Sequence, residues 1–188
     1  MTAREDPGAS AIPWTAALSW RGAAPADVPA LLVLIESAYR GQESRRGWTT
    51  EADLLDGQRT GAGELERIIA TPRSRILLAE SGEQLMACCH VQEQGPGTAY
   101  LGMFSVRPGS QGLGIGRRLM ARAEQDARAE WGAEQMQMWV IRQRAELIAW
   151  YDRLGYRATG EVRPFPYDDP GVIAKREDLE FVVLAKPL

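Results

Sequence analysis

The residues best suited to chemistry in this chain gather in Arg107-Pro-Gly-Ser-Gln111-Gly112-Leu113-Gly114-Ile115-Gly116, followed directly by Arg117 and Arg118. A stretch so rich in glycine lets successive backbone N–H groups converge on an anion with no side chain in the way. The apolar residues that follow, Ile115, Leu119, Ala123, Ala127 and Trp131, recur every fourth position. They predict an amphipathic helix from Gly114 to Trp131, stopped by Gly132. The loop therefore falls at a helix N-terminus, where unpaired donors and the helix dipole favour negative charge. Arginines in the first turn oppose that dipole and are easier to explain beside a phosphate. A P-loop would need a Gly-Lys-Ser/Thr ending, and none follows. A dinucleotide fingerprint counted from Gly112 would need glycine where Arg117 stands. On these residues alone, a glycine-rich turn with no ligand stays open.

A second group is Ala145-Glu-Leu-Ile-Ala-Trp150-Tyr151-Asp-Arg-Leu-Gly155-Tyr156, which reads as a helix ended by glycine. Together, Gln111-x-x-Gly114-x-Gly116 after a strand and the Trp150-Tyr151…Gly155-Tyr156 signature resemble the two motifs of the GNAT N-acetyltransferase superfamily, in its bacterial branch. The likeness covers roughly Ser74 to Tyr156 well and the remainder loosely. It implies the acyl-CoA N-acyltransferase fold and an enzyme that passes acetyl from acetyl-CoA to a primary amine by direct attack through a tetrahedral intermediate. It also implies that the loop from Gln111 to Arg118 holds the coenzyme A pyrophosphate. The backbone of Phe104, Ser105 and Val106 would pair with the pantetheine arm where that strand splays from Met136–Val140. The Val106 N–H would polarise the thioester carbonyl, and Tyr151 would protonate the leaving thiolate. Such a transfer is chemically reasonable, since a phenol of pKa about 10 can donate as charge develops on a thiol of about 8.5. A tyrosine that only packs is the alternative. The family often carries asparagine seven residues before this tyrosine; here Arg144 stands there, which implies a different pocket lining.

An amine must lose a proton before it attacks, usually to a carboxylate or to water held by one. Glu93, at the end of a predicted strand, is the first candidate base, with Glu51 and Glu161 behind it. His90, the single histidine, is expected to pack or hydrogen-bond within a sheet. Arg45, Trp48 and Arg142 are candidate acceptor contacts, with Arg46 and the loop Arg163-Pro-Phe165-Pro-Tyr167. Arginines would suit an acceptor bearing a carboxylate or phosphate.

These groups need a scaffold to bring them together. Pro25 to Gly41 reads as a helix, with Val28, Leu31, Leu32, Ile35 and Tyr39 at helical spacing. Residues 42–63 are polar and glycine-punctuated, with a short turn of helix from Thr50 to Leu55, and look like a lid. Glu64 to Ala70 is a further helix. Ser74–Ala79, Leu85–Gln92 and Ala99–Val106 form an antiparallel meander around Gly82 and Gly95-Pro96-Gly97. Met136, Met138 and Val140 alternate in a strand, Tyr156 to Val162 is another, and a Pro- and Asp-rich loop (163–178) leads to a last strand at Leu179–Ala185. The sum is α/β: a mixed sheet in a three-layer α/β/α arrangement. Residues 1–15 read as a flexible N-terminal tail, and 16–188 as a single domain of one core.

Bulk properties exclude other classes. The 188 residues carry a formal charge of -3, with 45% apolar and 25% charged residues. An acidic chain has no general attraction for nucleic acid or anionic membrane, so neither is an expected partner. Cys88 and Cys89 are adjacent and would face opposite sides of a strand, which argues against a disulfide and for a reducing compartment. No Cys/His cluster has metal-ligand spacing, so no metal is expected. No apolar run is long enough to span a membrane, and no signal-peptide pattern opens the chain. A cytoplasmic enzyme acting on a small-molecule amine is expected, and the final strands would suit a homodimer. A protein or peptide N-acetyltransferase, or a non-catalytic acyl-CoA-binding module, would share these features.

Overall fold

The computed structural model describes residues 17–169 and 171–188, so the tail expected at 1–15 lies outside the described residues. The elements in order are β1 (Ser19–Gly22), α1 (Val28–Tyr39), α2 (Gly41–Ser44), β2 (Leu55–Asp56), α3 (Ala62–Ala70), β3 (Ser74–Ser81), β4 (Gln84–Gly95), β5 (Thr98–Val106), α4 (Ile115–Trp131), β6 (Gln135–Ile141), α5 (Ala145–Arg153), β7 (Arg157–Pro164), β8 (Ile173–Ala174) and β9 (Glu180–Pro187).

Seven strands make one sheet in the order β1-β3-β4-β5-β6-β9-β7. Its pairs are antiparallel except β5 with β6, which run parallel with α4 as their crossover. Strand alternation sends side chains to both faces, and each face is covered. Ile76 and Leu78 of β3 meet Leu31, Leu34 and Ile35 of α1 and Leu65 and Ile68 of α3. Leu77 and Ala79 face the other way, toward Leu119, Ala123 and Ala127 of α4. Cys88 and Cys89 fall on these opposite sides, both buried and unpaired. The result is the expected three-layer α/β/α domain.

Two short elements depart from the sequence reading. The helical turn expected at Thr50–Leu55 is instead a single tight turn, in which Glu51 C=O accepts the N–H groups of Leu54 and Leu55. The chain then enters β2. The loop 163–178 contains β8, which pairs antiparallel with β2. Strands of two residues carry no periodicity to read. Their pairing joins the two polar segments across the chain. Lys175 Nζ adds to it, donating to Ala52 C=O and pairing with Asp56.

Candidate active site

The site begins where the sheet opens. β5 and β6 pair only over Thr98–Tyr100 with Gln135–Gln137, and then separate. The cause lies in β5. Its register against β4 shifts between Gly102 and Ser105, a bulge in which Met103 adopts φ 51°. That left-handed conformation costs a non-glycine residue about 1 kcal/mol or more. It is held here by burial of the Met103 side chain against α1 and α3, and by Tyr39 Oη, which donates to Phe104 C=O at 3.0 Å. Past the bulge, Arg107 N–H bonds back to Met86 C=O. By antiparallel alternation, the backbone groups of neighbouring Val106 point away from β4, into the gap.

The gap runs into the glycine loop. Gly112 and Gly114 have φ 84° and 78°, and a Cβ built on either would touch nothing within 4 Å. Gly114 is the N-cap of α4, with no side-chain cap and no acidic residue in the first turn. An uncapped helix start beneath two open glycines fits a phosphate-bearing ligand. The Gln111 side chain is engaged elsewhere. Its Oε1 accepts Trp48 N–H at 2.9 Å and its Nε2 donates to Val106 C=O at 3.3 Å. Gly47 comes so close that a Cβ there would meet Gln111 Oε1 at 2.6 Å.

Tyr151 projects from α5, the helix on the far side of the gap, and is the one buried residue of that helix. It is only 4% exposed and packs among Phe104, Trp150 and Tyr156. Burial pushes its phenol well above the ordinary tyrosine range, against the pull of Arg144, so the hydroxyl keeps its proton. Tyr151 lines two cavities. One of about 70 Å³ is shared with Trp48, Gln111, Gly112 and Gly116. The other, of about 120 Å³, is shared with Tyr39, Glu51, Arg59 and Trp139. Beyond it opens a third, of about 330 Å³, with Arg40, Glu51, Arg59, Glu64 and Phe165 in its wall.

Glu51 is the buried carboxylate of this interior. Arg40 pairs with its Oε2 at 2.6 Å and Arg144 with its Oε1 at 2.8 Å. Burial would raise the Glu51 carboxyl, but the charges of Arg144, Arg59 and Arg40 outweigh it and hold the group below the usual carboxylate range. Arg144, where asparagine was expected from the resemblance, thus anchors Glu51 beside Tyr151.

The sequence profile of the family described as "Acetyltransferase (GNAT) family" matches residues 33–156. The chain belongs to that family. A blasticidin-S acetyltransferase of Streptomyces morookaense is 34% identical over 85 residues, 44% of this chain and 55% of that relative. The chain's match thus spans about half the length of that curated relative. Among solved structures, the ribosomal-protein-S18-alanine N-acetyltransferase of Escherichia coli superposes with a TM-score of 0.67 at 16% identity, over 91% of this chain and 94% of that one. A GNAT acetyltransferase of Elizabethkingia anophelis with acetyl-CoA bound gives 0.66 at 13% identity, over 91% and 98%. At such identities the likeness is one of fold.

Within this GNAT domain the residues singled out in the sequence separate. Phe104, Val106, Gln111, Gly112, Gly116, Tyr151 and Trp48 meet around the loop-side cavity. Leu113 is exposed, and Ile115 and Ser105 are buried beneath. Arg118 lies over the Trp20 ring on β1. Phe165 reaches the outer cavity of about 330 Å³, buried with Leu55, Ile141 and Leu179. Several others lie elsewhere. Glu93 is paired with Arg73 on the part of β4 opposite Ala99, where β5 and β6 are still joined. Glu161 pairs with Arg163 on the exposed strand β7. Arg45 pairs with Asp53 and Arg142 with Glu180, and neither reaches the three cavities. A surface arginine with a carboxylate in reach satisfies its charge there. His90 bonds Ser74 Oγ at 2.9 Å. Burial pushes its pKa down to about 4, with Glu64 opposing, so it is neutral near pH 7.

Sequence reasoning missed Arg59, Arg40 and Tyr100, which line these cavities, and had Glu51 as a secondary candidate base but not as the anchor of Arg144. Arg59 and Arg40 come from polar or helix-terminal stretches without a motif. Tyr39 was legible only as a core position of α1, whereas its hydroxyl reaches the bulge.

Proposed function

We propose that this protein transfers acetyl from acetyl-CoA to the primary amine of a small molecule, with Tyr151 as the proton donor to the leaving sulfur. The observation that carries the reading is the position of Tyr151, in the wall both of the loop-side cavity and of the inner cavity. A donor must enter from the loop and an acceptor from the opposite side for their reacting groups to meet at this residue.

Acetyl-CoA supplies the activated thioester. Gly112, Gly114 and the first turn of α4 are suited to its phosphates, and the gap after Tyr100 to its extended arm. The Val106 N–H, facing that gap, would stabilise charge on a carbonyl oxygen. Once the amine nitrogen has added to the thioester carbon, the Tyr151 hydroxyl, kept protonated by burial, donates to sulfur as the tetrahedral species collapses and the carbon–sulfur bond breaks. Among the residues lining the inner cavity, Glu51 is the sole carboxylate. Its two arginine partners make it a weak base, so the proton from the amine leaves through water to the larger cavity. The match to a blasticidin-S acetyltransferase supports a small-molecule acceptor, as does an acceptor cavity of about 330 Å³.

The test incubates wild type and Tyr151→Phe with acetyl-CoA and a panel of amines, amino acids and peptides, reading thiol release and product mass. Acetylated small amines, formed by wild type and greatly slowed in the variant with acetyl-CoA binding retained, are expected. Equal rates in both proteins would remove the proton-donor role. Acetyl-CoA binding without product from any amine would remove the transferase reading.

A further inference from the structure

Where the inner and outer cavities meet, buried donors outnumber free acceptors. Both oxygens of Glu51 are occupied by Arg40 and Arg144. Arg59 lines both cavities, yet among the described residues no carboxylate oxygen lies within ion-pairing distance of its guanidinium. Its location is fixed from two sides. The backbone N–H groups of Arg59 and Thr60 donate to Glu36 Oε1 at 2.6 and 3.3 Å. The guanidinium carbon stands 5.1 Å from the centroid of the Tyr39 ring, whose hydroxyl is bound to the bulge of β5.

Two more donors in these walls, Arg40 Nε and the Trp139 indole Nε1, are buried with no partner among the described residues. Unpaired buried donors are costly, and a guanidinium fork matches a carboxylate in geometry as well as charge. Burial would lower the Arg59 pKa, but Tyr39, Glu51 and Glu64 outweigh it, so the charge persists. The outer cavity also carries Glu64 and Asp169. Each already accepts a hydrogen bond, from Thr60 Oγ1 at 2.7 Å and from Gly171 N–H at 2.9 Å. Their charge favours an arriving ammonium group over a bare anion.

We infer that the acceptor is an amino-acid-like amine whose carboxylate is held by Arg59, which makes Arg59 the residue that sets acceptor specificity. The inference rests on the reading of these cavities as the acceptor site. A carboxylate on Arg59 leaves the neighbouring amine within the cavity that Phe104 and Tyr151 also line.

Calorimetric titration of the coenzyme A-saturated protein with N-acetyl-amino acids and their matching C-terminal amides reads the site without turnover. Wild type should bind the acids roughly tenfold or more tightly than the amides, one charge-assisted bidentate contact being the difference. Arg59→Met should erase that difference, and Arg59→Lys should keep part of it. Thiol release with free amino acids and amino amides should show the same preference in kcat/KM. Equal binding of acids and amides by wild type, or a preference that survives Arg59→Met, overturns the inference. Should Arg59→Met fail to fold, the wild-type comparison and Arg59→Lys still decide it. Turnover of uncharged or cationic amines with no preference for acids overturns it while acetyl transfer stands. Acid-selective binding that depends on Arg59, without turnover of any amine, supports it while acetyl transfer falls.

Discussion

Tyr151 and Glu51 share an interior but respond to it in opposite ways. Burial raises the tyrosine, so it keeps a proton that it can donate. Three arginines keep the glutamate ionised, so it holds its neighbours in place instead of taking a proton. Tyr151→Phe should therefore lower kcat by roughly a hundredfold, a typical loss for a general acid, with the acetyl-CoA Kd within about twofold. Stopped-flow thiol detection and calorimetry separate the two. Glu51→Ala would strand Arg40 and Arg144 and should lower unfolding free energy by about 3 kcal/mol or more, measured by urea denaturation. His90 adds a pH signature. Its pKa is about 4 in the folded chain against an ordinary 6.5. Between those values the unfolded chain binds the extra proton, so stability falls as pH drops from about 6.5 toward 4, by up to about 3 kcal/mol. The lowered Glu51 carboxyl acts in the same direction, but only once pH falls below the ordinary carboxylate range. Urea midpoints at pH 7 and pH 5 should converge in His90→Gln relative to wild type.

At the level of elements, the proposed function rests on a strand that does not stay straight and a helix that starts without a cap. The bulge at Met103 ends the pairing of β5 with β6 and turns the backbone of Val106 into the opening. The N-terminus of α4 keeps its donors because Gly114 caps it in the left-handed region, where a β-carbon is strained. Gly114→Ala should cost about 1 kcal/mol of stability. It should also weaken acetyl-CoA binding by roughly tenfold, since the new methyl enters space suited to the phosphates. A thermal melt checks the first and calorimetry the second. Unchanged affinity would mean that the phosphates lie elsewhere.

Across the whole molecule, two segments far apart in sequence close one side of the outer cavity, the proposed acceptor site. β2 and β8 pair, and Lys175 ties them through Ala52 C=O and Asp56. Its ion pair is well exposed, so Lys175→Ala should shift stability by less than about 1 kcal/mol. The wall itself should loosen. The expected outcome is a KM for acceptor raised several-fold with the KM for acetyl-CoA unchanged, and faster amide exchange at Leu55 and Ile173. Among the described residues no helix is long and apolar enough to cross a membrane.

Where local pattern and tertiary demand agree, the sequence alone was enough. The four-residue spacing from Ile115 to Trp131 and the glycine after it defined α4 to within a residue, because one face of that helix is core along its whole length. The meander, the strand Gln135–Ile141 and the helix bearing Tyr151 were legible for the same reason. The loop and the tyrosine could be read as a pair only through their resemblance to the two GNAT motifs; the residues alone left a glycine-rich turn with no ligand open. The acceptor side was not legible. Whether an arginine is free depends on what stands opposite it in space, and no spacing rule distinguishes Arg59 from Arg45 or Arg142. Glu93 is drawn to Arg73 across β3 and β4, while Glu51 is carried inward by a turn without periodicity. Met103 has no side-chain feature that announces a left-handed backbone. Its conformation is imposed by packing on both faces of β5, and charge pairing and strain of this kind are decided only when distant segments meet.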